Sequence, residues 1–542
     1  MDPRMALDAL KRRAGEGESP ESLSHSLLDL VRQSAAGTAV PFDDDIRQMA
    51  VRLADGTMIH GGRVASEDRL RGARLLAGCL HALTGGGVHL ITPDEHQAQE
   101  EGELAAAVYD PLGLTVGVLR TDMGRDERRA AHGANVTVGA YRRFGLDLLH
   151  DRQATEPADR SRRTAPAALV KDPGHVLVAP ITEPLTLVED DASPSHELRK
   201  VARLAATLHD GQDYAVDTDQ KAARLTPKGR NRIHDAFGVT DPAGIETLLL
   251  EKRVEEALVA HDRYSRGRDY DVVDARVVPI PSGQLPTGVR LRGGLLQAIE
   301  VKEGVAVSDA QWVTAMVSVF EYFRRYSRVG GTSAAELMFT AELEELFGLT
   351  VWDLRGPEEL STQRQYAQQM SGYLDLNRRI ARWSRLGEQQ RAELNDLRDR
   401  SWEPHELRTL LHRSVDEAVR KELRRSDGDP QRLRRGLGEL AAVLPPEQIT
   451  GIGDPQRLSD TVLTSVRSVC DDHLAADPDT QRRGVQSAVD QAAVYQAQAE
   501  MYYRDLFWPD GLAAFEEALT GAHDGILAQF GRAVARHALR PN

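Results

Sequence analysis

Apolar positions change their spacing along this 542-residue chain, and three textures result. In the first third, short apolar runs alternate with longer amphipathic stretches. Ala73 to Leu83 reads as a helix closed by Gly85-Gly-Gly87, and Val88-His-Leu-Ile-Thr92 follows as a buried strand. A second helix runs to about Tyr109. Leu114–Leu119, Asn135–Gly139, Leu169–Val178 and Leu185–Val188 read as further strands. Strands alternating with helices predict a parallel sheet with crossover helices. Residues 1–40 are polar around one amphipathic helix, and 153–166 read as a polar loop. From about residue 190 the texture becomes short strands and helices (DYAVDTD, ARLTPKG, YDVVDARVVPIP), the pattern of an inserted α+β domain. After Pro357 the chain reads as almost wholly helical, through Gln363–Trp402, Glu406–Arg425, Pro455–Leu474 and a last helix from Leu512 to Leu539. No repeat of fixed period runs through it.

The length exceeds what one core holds and predicts several domains. Aromatic residues make up only 5% of the chain, so Leu, Ala and Val must fill its cores. A net charge of −15 gives no bulk attraction for nucleic acid or anionic lipid. The basic cluster at Arg160-Ser-Arg-Arg163 reads as a solvated loop. Cys79 and Cys470 form neither a metal-ligand spacing nor a disulfide framework, which fits a reducing compartment. No apolar run reaches the ~18 residues of a membrane span, and residues 1–24 lack a signal peptide's apolar stretch. The expectation is a cytoplasmic protein with at most peripheral membrane contact and no nucleic-acid partner.

Several short passages, in order, resemble the SecA preprotein-translocase ATPase family. Pro41-Phe42-Asp43, Ile59-His-Gly-Gly-Arg63-Val-Ala65 and Ala82-Leu-Thr-Gly-Gly-Gly-Val-His89 are similar to the entry of that family's first nucleotide-binding domain. Asp213-Tyr-Ala-Val-Asp217 and Asp269-Tyr270 resemble its preprotein-crosslinking domain. Gly294-Leu-Leu-Gln297-Ala-Ile-Glu300-Val-Lys302-Glu-Gly-Val305 carries the clearest likeness. Arg378-Arg379 and Gln389-Gln-Arg391 lie at matching places in what resembles the long scaffold helix. The resemblance implies an α/β RecA-like lobe with an inserted α+β domain, followed by an all-helical scaffold region. The expected parts are an N-terminal helix or tail (1–40), the lobe (41–190 and 306–357), the insertion (191–305) and a helical scaffold or wing-like region (358–542).

The same alignment marks departures. Where the family has a glycine-rich phosphate loop ending in Gly-Lys-Thr, this chain has Ser66-Glu-Asp-Arg-Leu-Arg-Gly-Ala-Arg74. Glu67 and Asp68 would repel phosphate there, while Arg69, Arg71 and Arg74 could bind some other anion. Lys171-Asp-Pro-Gly174 stands in place of the metal-binding acidic motif, and Asp45 in place of the adenine-reading glutamine. Val329-Gly-Gly-Thr-Ser333 partly keeps the coupling motif. No arginine-finger motif follows, and the second motor lobe has no counterpart after Val351. The resemblance with these losses implies a non-hydrolytic protein without a cofactor. It would bind a polypeptide or protein partner, including a true SecA, through Gln297, Glu300, Lys302, Arg378 and Arg379.

A second reading stays open. Asp471-Asp472 on a helix could hold Mg²⁺ and a diphosphate, with His473 as a base, as an isoprenoid diphosphate cyclase on a repurposed scaffold would require. The plainer reading of these carboxylates, and of those at Asp43-Asp44-Asp45 and Asp190-Asp191, is complementing helix dipoles. The aromatic cluster Tyr502-Tyr503, Phe507-Trp508 reads as core packing or a partner-helix groove rather than a ligand pocket.

Overall fold

The computed structural model describes residues 2–62, 64–154, 160–161, 167–191, 195–217, 222–239, 245–280, 294–308, 310–334, 339–354, 371–426, 429, 432, 455–506 and 512–539. The chain forms two compact units, each built from two separate stretches. One holds Met1–Thr186 with Met316–Glu388, the other Leu187–Ala315 with Gln389–Asn542.

The first unit is an α/β lobe around a seven-stranded sheet. Its elements are α1 (Pro3–Gly15), α2 (Pro20–Ser34), α3 (Asp44–Ala54), β1 (Thr57–His60), α4 (Glu67–Leu83), β2 (Val88–Thr92), α5 (Glu95–Tyr109), β3 (Val116–Val118), α6 (Arg125–His132), β4 (Val136–Ala140), α7 (Tyr141–Gln153) and β5 (Ala167–Lys171). After the second unit's first stretch come α12 (Val319–Phe323), β12 (Arg328–Ser333), α13 (Thr340–Phe347) and β13 (Thr350–Asp353). Strand order is β13-β1-β12-β5-β2-β4-β3, and every ladder is parallel. β2, β4 and β5 are buried at every residue, as parallel strands covered on both faces must be. In β12, a Cβ on Gly331 would sit 2.6 Å from Met58 Sδ and 2.9 Å from the Val170 carbonyl, so only glycine lets β12 lie there.

Three helices that open near the sheet's carboxyl edge have side-chain caps, whereas α7, which follows β4 directly, has none. Asp43 accepts from Ile46 N at α3, Ser66 from Arg69 N at α4, and Asp94 from Gln97 N at α5. Residues 1–40 hold two helices rather than the one expected, and they are part of the lobe. Leu7, Leu10, Leu23, Leu27 and Val31 share one core with Leu70, Leu75 and Val108. The strand expected over Leu169–Val178 stops at Lys171. Asp172 turns to φ 51°, Pro173 follows, and Gly174–Val178 is helical.

In the second unit, an inserted α+β domain contains α8 (Ser195–Ala205), β7 (Tyr214–Asp217), β8 (Ala222–Leu225), α9 (Pro227–Phe237), α10 (Ile245–Asp262), β9 (Tyr270–Val273), β10 (Arg276–Pro279) and α11 (Leu295–Glu303). β7–β8 and β9–β10 are antiparallel hairpins. Val201, Tyr214, Ile233, Val254 and Leu258 form its core. β6 (Leu185–Asp191) and β11 (Ala310–Val317) form a two-stranded sheet where the chain passes between units. The helical region comprises α14 (Ser371–Arg400), whose first part counts with the first unit, α15 (Pro404–Ser426), α16 (Pro455–Ala476), α17 (Pro478–Leu506) and α18 (Leu512–Ala538). Leu411, Val415, Val462, Val489, Phe530 and Val534 fill its core. Among the described residues, no helix is long and apolar enough to cross a membrane.

Candidate functional site

In a parallel sheet all strands end at one edge, and ligands of such folds bind there, beside the helix N-termini. Here β1 ends at His60, β2 at Thr92, β5 at Lys171 and β12 at Ser333, while α4 begins at Glu67. On α4, Glu67, Arg71 and Arg74 stand four and three residues apart and share one face.

That edge is filled by the chain's own charges. Arg74 Nη2 donates to Glu67 Oε1 at 2.7 Å and to Glu101 Oε1 at 3.0 Å, and Arg74 Nη1 donates to the Thr332 hydroxyl. Arg71 Nε donates to the same Glu101 oxygen at 2.9 Å, and Arg71 lies 3.5 Å from Asp68. Lys171 Nζ lies 3.5 Å from Glu101 and 3.7 Å from Glu67. Arg74, Glu101, Lys171 and Thr332 are all buried. Burial alone would raise the Glu101 pKa, but Arg74, Arg71 and Lys171 outweigh it and hold the carboxyl below its usual range. Burial would likewise lower the Arg74 pKa, yet Glu101 and Glu67 hold it above the ordinary value. Three cations thus face the carboxylates of Glu67, Asp68 and Glu101, and the cluster is self-neutralised.

Asp172, next to Lys171, takes a left-handed conformation that non-glycine residues rarely adopt. Its backbone N–H donates to the Thr332 carbonyl at 2.9 Å, and its carboxylate accepts from Ser333 Oγ at 3.3 Å. These bonds tie the end of β5 to the end of β12. Arg69 does not join the cluster. It donates to Asp43 at 2.7 Å and 3.2 Å and to Asp45 at 3.3 Å.

A Mg²⁺–phosphate group does not fit this residue set. Residue 171 presents an ammonium where a metal needs a carboxylate oxygen, and Glu67 and Glu101 are already paired with cations. The anion-binding role expected of Arg69, Arg71 and Arg74 is also not met, because each is paired with carboxylates of the chain. Among the described residues, no three His, Cys, Asp or Glu side chains converge to hold a metal ion.

Sequence reasoning found Glu67, Arg71, Arg74 and Lys171 but missed Glu101. The signal was its phase on α5. Ala98, Glu101, Gly102, Ala105 and Val108 follow one buried stripe, whereas Glu100 and Glu103 fall outside it.

The other expected site residues are engaged within the fold. Gln297 and Glu300 are buried on α11. Gln297 donates to Ser308 Oγ at 3.3 Å, and Glu300 accepts from Ser308 N and Oγ at 2.7 Å and 2.9 Å. Lys302 Nζ donates to the carbonyls of Ala260 and Tyr264 at 2.9 Å and 2.6 Å, near the end of α10. Gln297 and Glu300 are thus held inside the inserted domain, whereas Lys302, though bonded to α10, is exposed. Arg378 on α14 is exposed and pairs with Glu345 and Asp375. Arg379 beside it is half-buried.

Asp471 on α16 accepts from Arg408 Nε and Nη2 at 2.9 Å and 2.7 Å and lies 2.8 Å from His412 Nε2. Asp472 is exposed, and His473 Nδ1 lies 2.9 Å from the Ala538 carbonyl. The three residues do not form the metal-and-base arrangement that the second reading required. Of the remaining expectations, Arg162, Arg163, Phe507 and Trp508 lie outside the described residues, as do the side chains of Asp190, Asp191 and Tyr502.

Comparisons with known proteins agree with this architecture. The family model for the SecA DEAD-like domain matches residues 4–344. The protein translocase subunit SecA of Rubrobacter xylanophilus is 31% identical over 353 residues, covering 63% of this chain and 38% of that protein. The SecA subunits of Clostridium perfringens and Halothermothrix orenii are each 30% identical, over 347 and 346 residues, covering 63% of this chain and 41% of theirs. This chain therefore spans about two fifths of the length of these relatives. With a family model matching more than half of its length, the chain belongs to the SecA family.

Proposed function

We propose that this SecA-family chain does not hydrolyse ATP and acts in protein translocation by binding a polypeptide or protein partner, as an accessory or a cargo adaptor. One observation carries the loss of hydrolysis. Lys171, Arg74 and Arg71 are neutralised by Glu67, Asp68 and Glu101 at the sheet edge where a nucleotide's phosphates would have to enter. Opening that edge would break several buried ion pairs at once, and removing one partner of a buried pair costs about 3–5 kcal/mol.

The binding part of this reading rests on what the chain retains. The inserted domain and the long α14 accompany the lobe, and the relatives to which the chain is similar are named as translocase subunits. Arg378 and Arg379 on α14 and the exposed Lys302 on α11 are the contact candidates, while the buried Gln297 and Glu300 hold α11 in place. The proposed setting is the cytoplasm, with no metal or nucleotide required.

The test uses the full chain. Phosphate release is followed with Mg²⁺-ATP, with and without an unfolded signal-bearing polypeptide, and binding of the labelled polypeptide is followed by fluorescence anisotropy. The expected result is no release above the enzyme-free rate, together with saturable polypeptide binding. ATP turnover would overturn the non-hydrolytic reading, and thermal stabilisation by Mg²⁺-ATP without turnover would overturn only the closure of the site to nucleotide. Absence of polypeptide binding would overturn the cargo reading and leave a folded protein partner as its remaining form.

A further inference from the structure

α10 carries two acidic side chains one turn apart, Glu251 and Glu255, and both are buried, at 3% and 8% exposure. Glu251 lies 2.7 Å from His234 Nε2 and 3.3 Å from Arg230 Nε, both on α9. Glu255 Oε1 accepts from the backbone N–H of Leu225 at 3.0 Å. Leu225 is the last residue of β8, so this bond fastens the β7–β8 hairpin to α10. A second bond fastens the other strand. Tyr214 OH, on β7, donates to Asp262 Oδ2 at 2.7 Å, again on α10.

Two carboxylates at this spacing on one buried face repel each other when both are ionised. The charges around them are specific. α9 contributes Arg230 and His234, and β8 contributes Arg224. α17 contributes Tyr503, whose phenol is pushed up to about 12 by burial and by Glu251. Elsewhere on α10, Arg253 lies 3.7 Å from Glu197 of α8, and Lys302 of α11 caps the carboxyl end. Burial, and then Glu251, raise the Glu255 carboxyl to about 7, although the Leu225 N–H, Arg230 and Arg224 oppose the rise. Asp262 behaves differently. Burial would raise it, but His261 and Tyr214 hold it below its usual range, so it stays ionised through neutral pH.

We propose that protonation of Glu255 controls how firmly the β7–β8 hairpin is held on α10, which makes the inserted domain pH-responsive. With Glu255 protonated, the pair carries one negative charge, matched by Arg230. Its carbonyl oxygen still accepts the Leu225 N–H. With Glu255 ionised, a second buried charge faces Glu251, and the side chain gains by turning to water. That movement frees the Leu225 N–H and leaves the Tyr214–Asp262 bond and the apolar core to hold the hairpin. The sign follows from the raised value. The hold is strongest below the ordinary carboxyl pKa and weakens as pH rises through about 7.

Hydrogen exchange tests this on the full chain, as the protection factor of the amides over Ala222–Thr226, corrected for intrinsic base catalysis. A single group shifted to about 7 should lower protection roughly tenfold between pH 6 and pH 8. Glu255→Gln should hold protection near the pH 6 level at both pH values, and Glu251→Gln should shrink the change. Equal protection of the wild type at both pH values would overturn the proposal, and that result needs no variant to fold. A tenfold loss retained in Glu255→Gln would overturn it too, by showing that another group titrates.

Discussion

Lys171 Nζ lies 3.5 Å from the carboxylate of Glu101, joining the end of a strand to the middle of a helix 70 residues earlier in a buried ion pair. Glu101 is also the point where Arg71 and Arg74 meet. One carboxylate thus serves three cations, and the lobe's carboxyl edge depends on it.

Replacing Glu101 by Gln keeps the shape and removes the charge. Arg71, Arg74 and Lys171 would then share Glu67 and Asp68, the more exposed anions. The expected cost is about 3–5 kcal/mol, read as a lower denaturant midpoint for the first unit. The pH dependence has a definite sign. The Glu101 pKa is depressed, so its contribution is present above the unfolded-state value and lost as pH falls through the folded one. Acid titration should therefore cost the wild type more stability than Glu101→Gln.

Gly331→Ala places a methyl group against Met58 Sδ and the Val170 carbonyl. The methionine can turn aside, but the backbone of β5 cannot without breaking its ladder with β12. Overpacking of this kind costs about 1–3 kcal/mol. A lowered melting temperature with unchanged helix content by circular dichroism is the expected outcome, whereas an unchanged temperature would show that β12 has room to shift.

Asp471→Ala removes the partner of Arg408 and His412 at a partly exposed site. Such pairs contribute up to about 1 kcal/mol. The variant should melt within a few degrees of the wild type, with or without Mg²⁺, and neither protein should turn over a prenyl diphosphate. Mg²⁺-dependent turnover that disappears in the variant would restore the cyclase reading.

The alternation of strand and helix in the lobe was legible because β2, β4 and β5 are buried on both faces and appear as short, mainly apolar runs. β12 was visible only as a motif. Its Gly330-Gly331 gives no apolar signal, and its burial comes entirely from neighbours distant in sequence. At the site, Lys171 and Arg74 stood out because they replace residue types the family's chemistry requires. Glu101 did not, since three glutamates crowd Glu100–Glu103 and only helical phase separates the buried one. The partners of Asp471 were hidden for the converse reason. Its neighbours in sequence left a metal open only as a second reading, while the groups that hold it, Arg408 and His412, come from another helix.

The position of β1 has a consequence for how the protein is made. β1 lies between β12 and β13, both of which leave the ribosome only after the whole inserted domain has been synthesised. At roughly 5–20 residues per second, that separates β1 from both partners by on the order of tens of seconds. From its own synthesis until β12 follows, β5, which pairs with β12 on one side, presents a bare apolar edge. The nascent chain is thus itself an aggregation-prone client for holding chaperones, and strain on that cellular capacity should reduce its yield before it affects the finished protein.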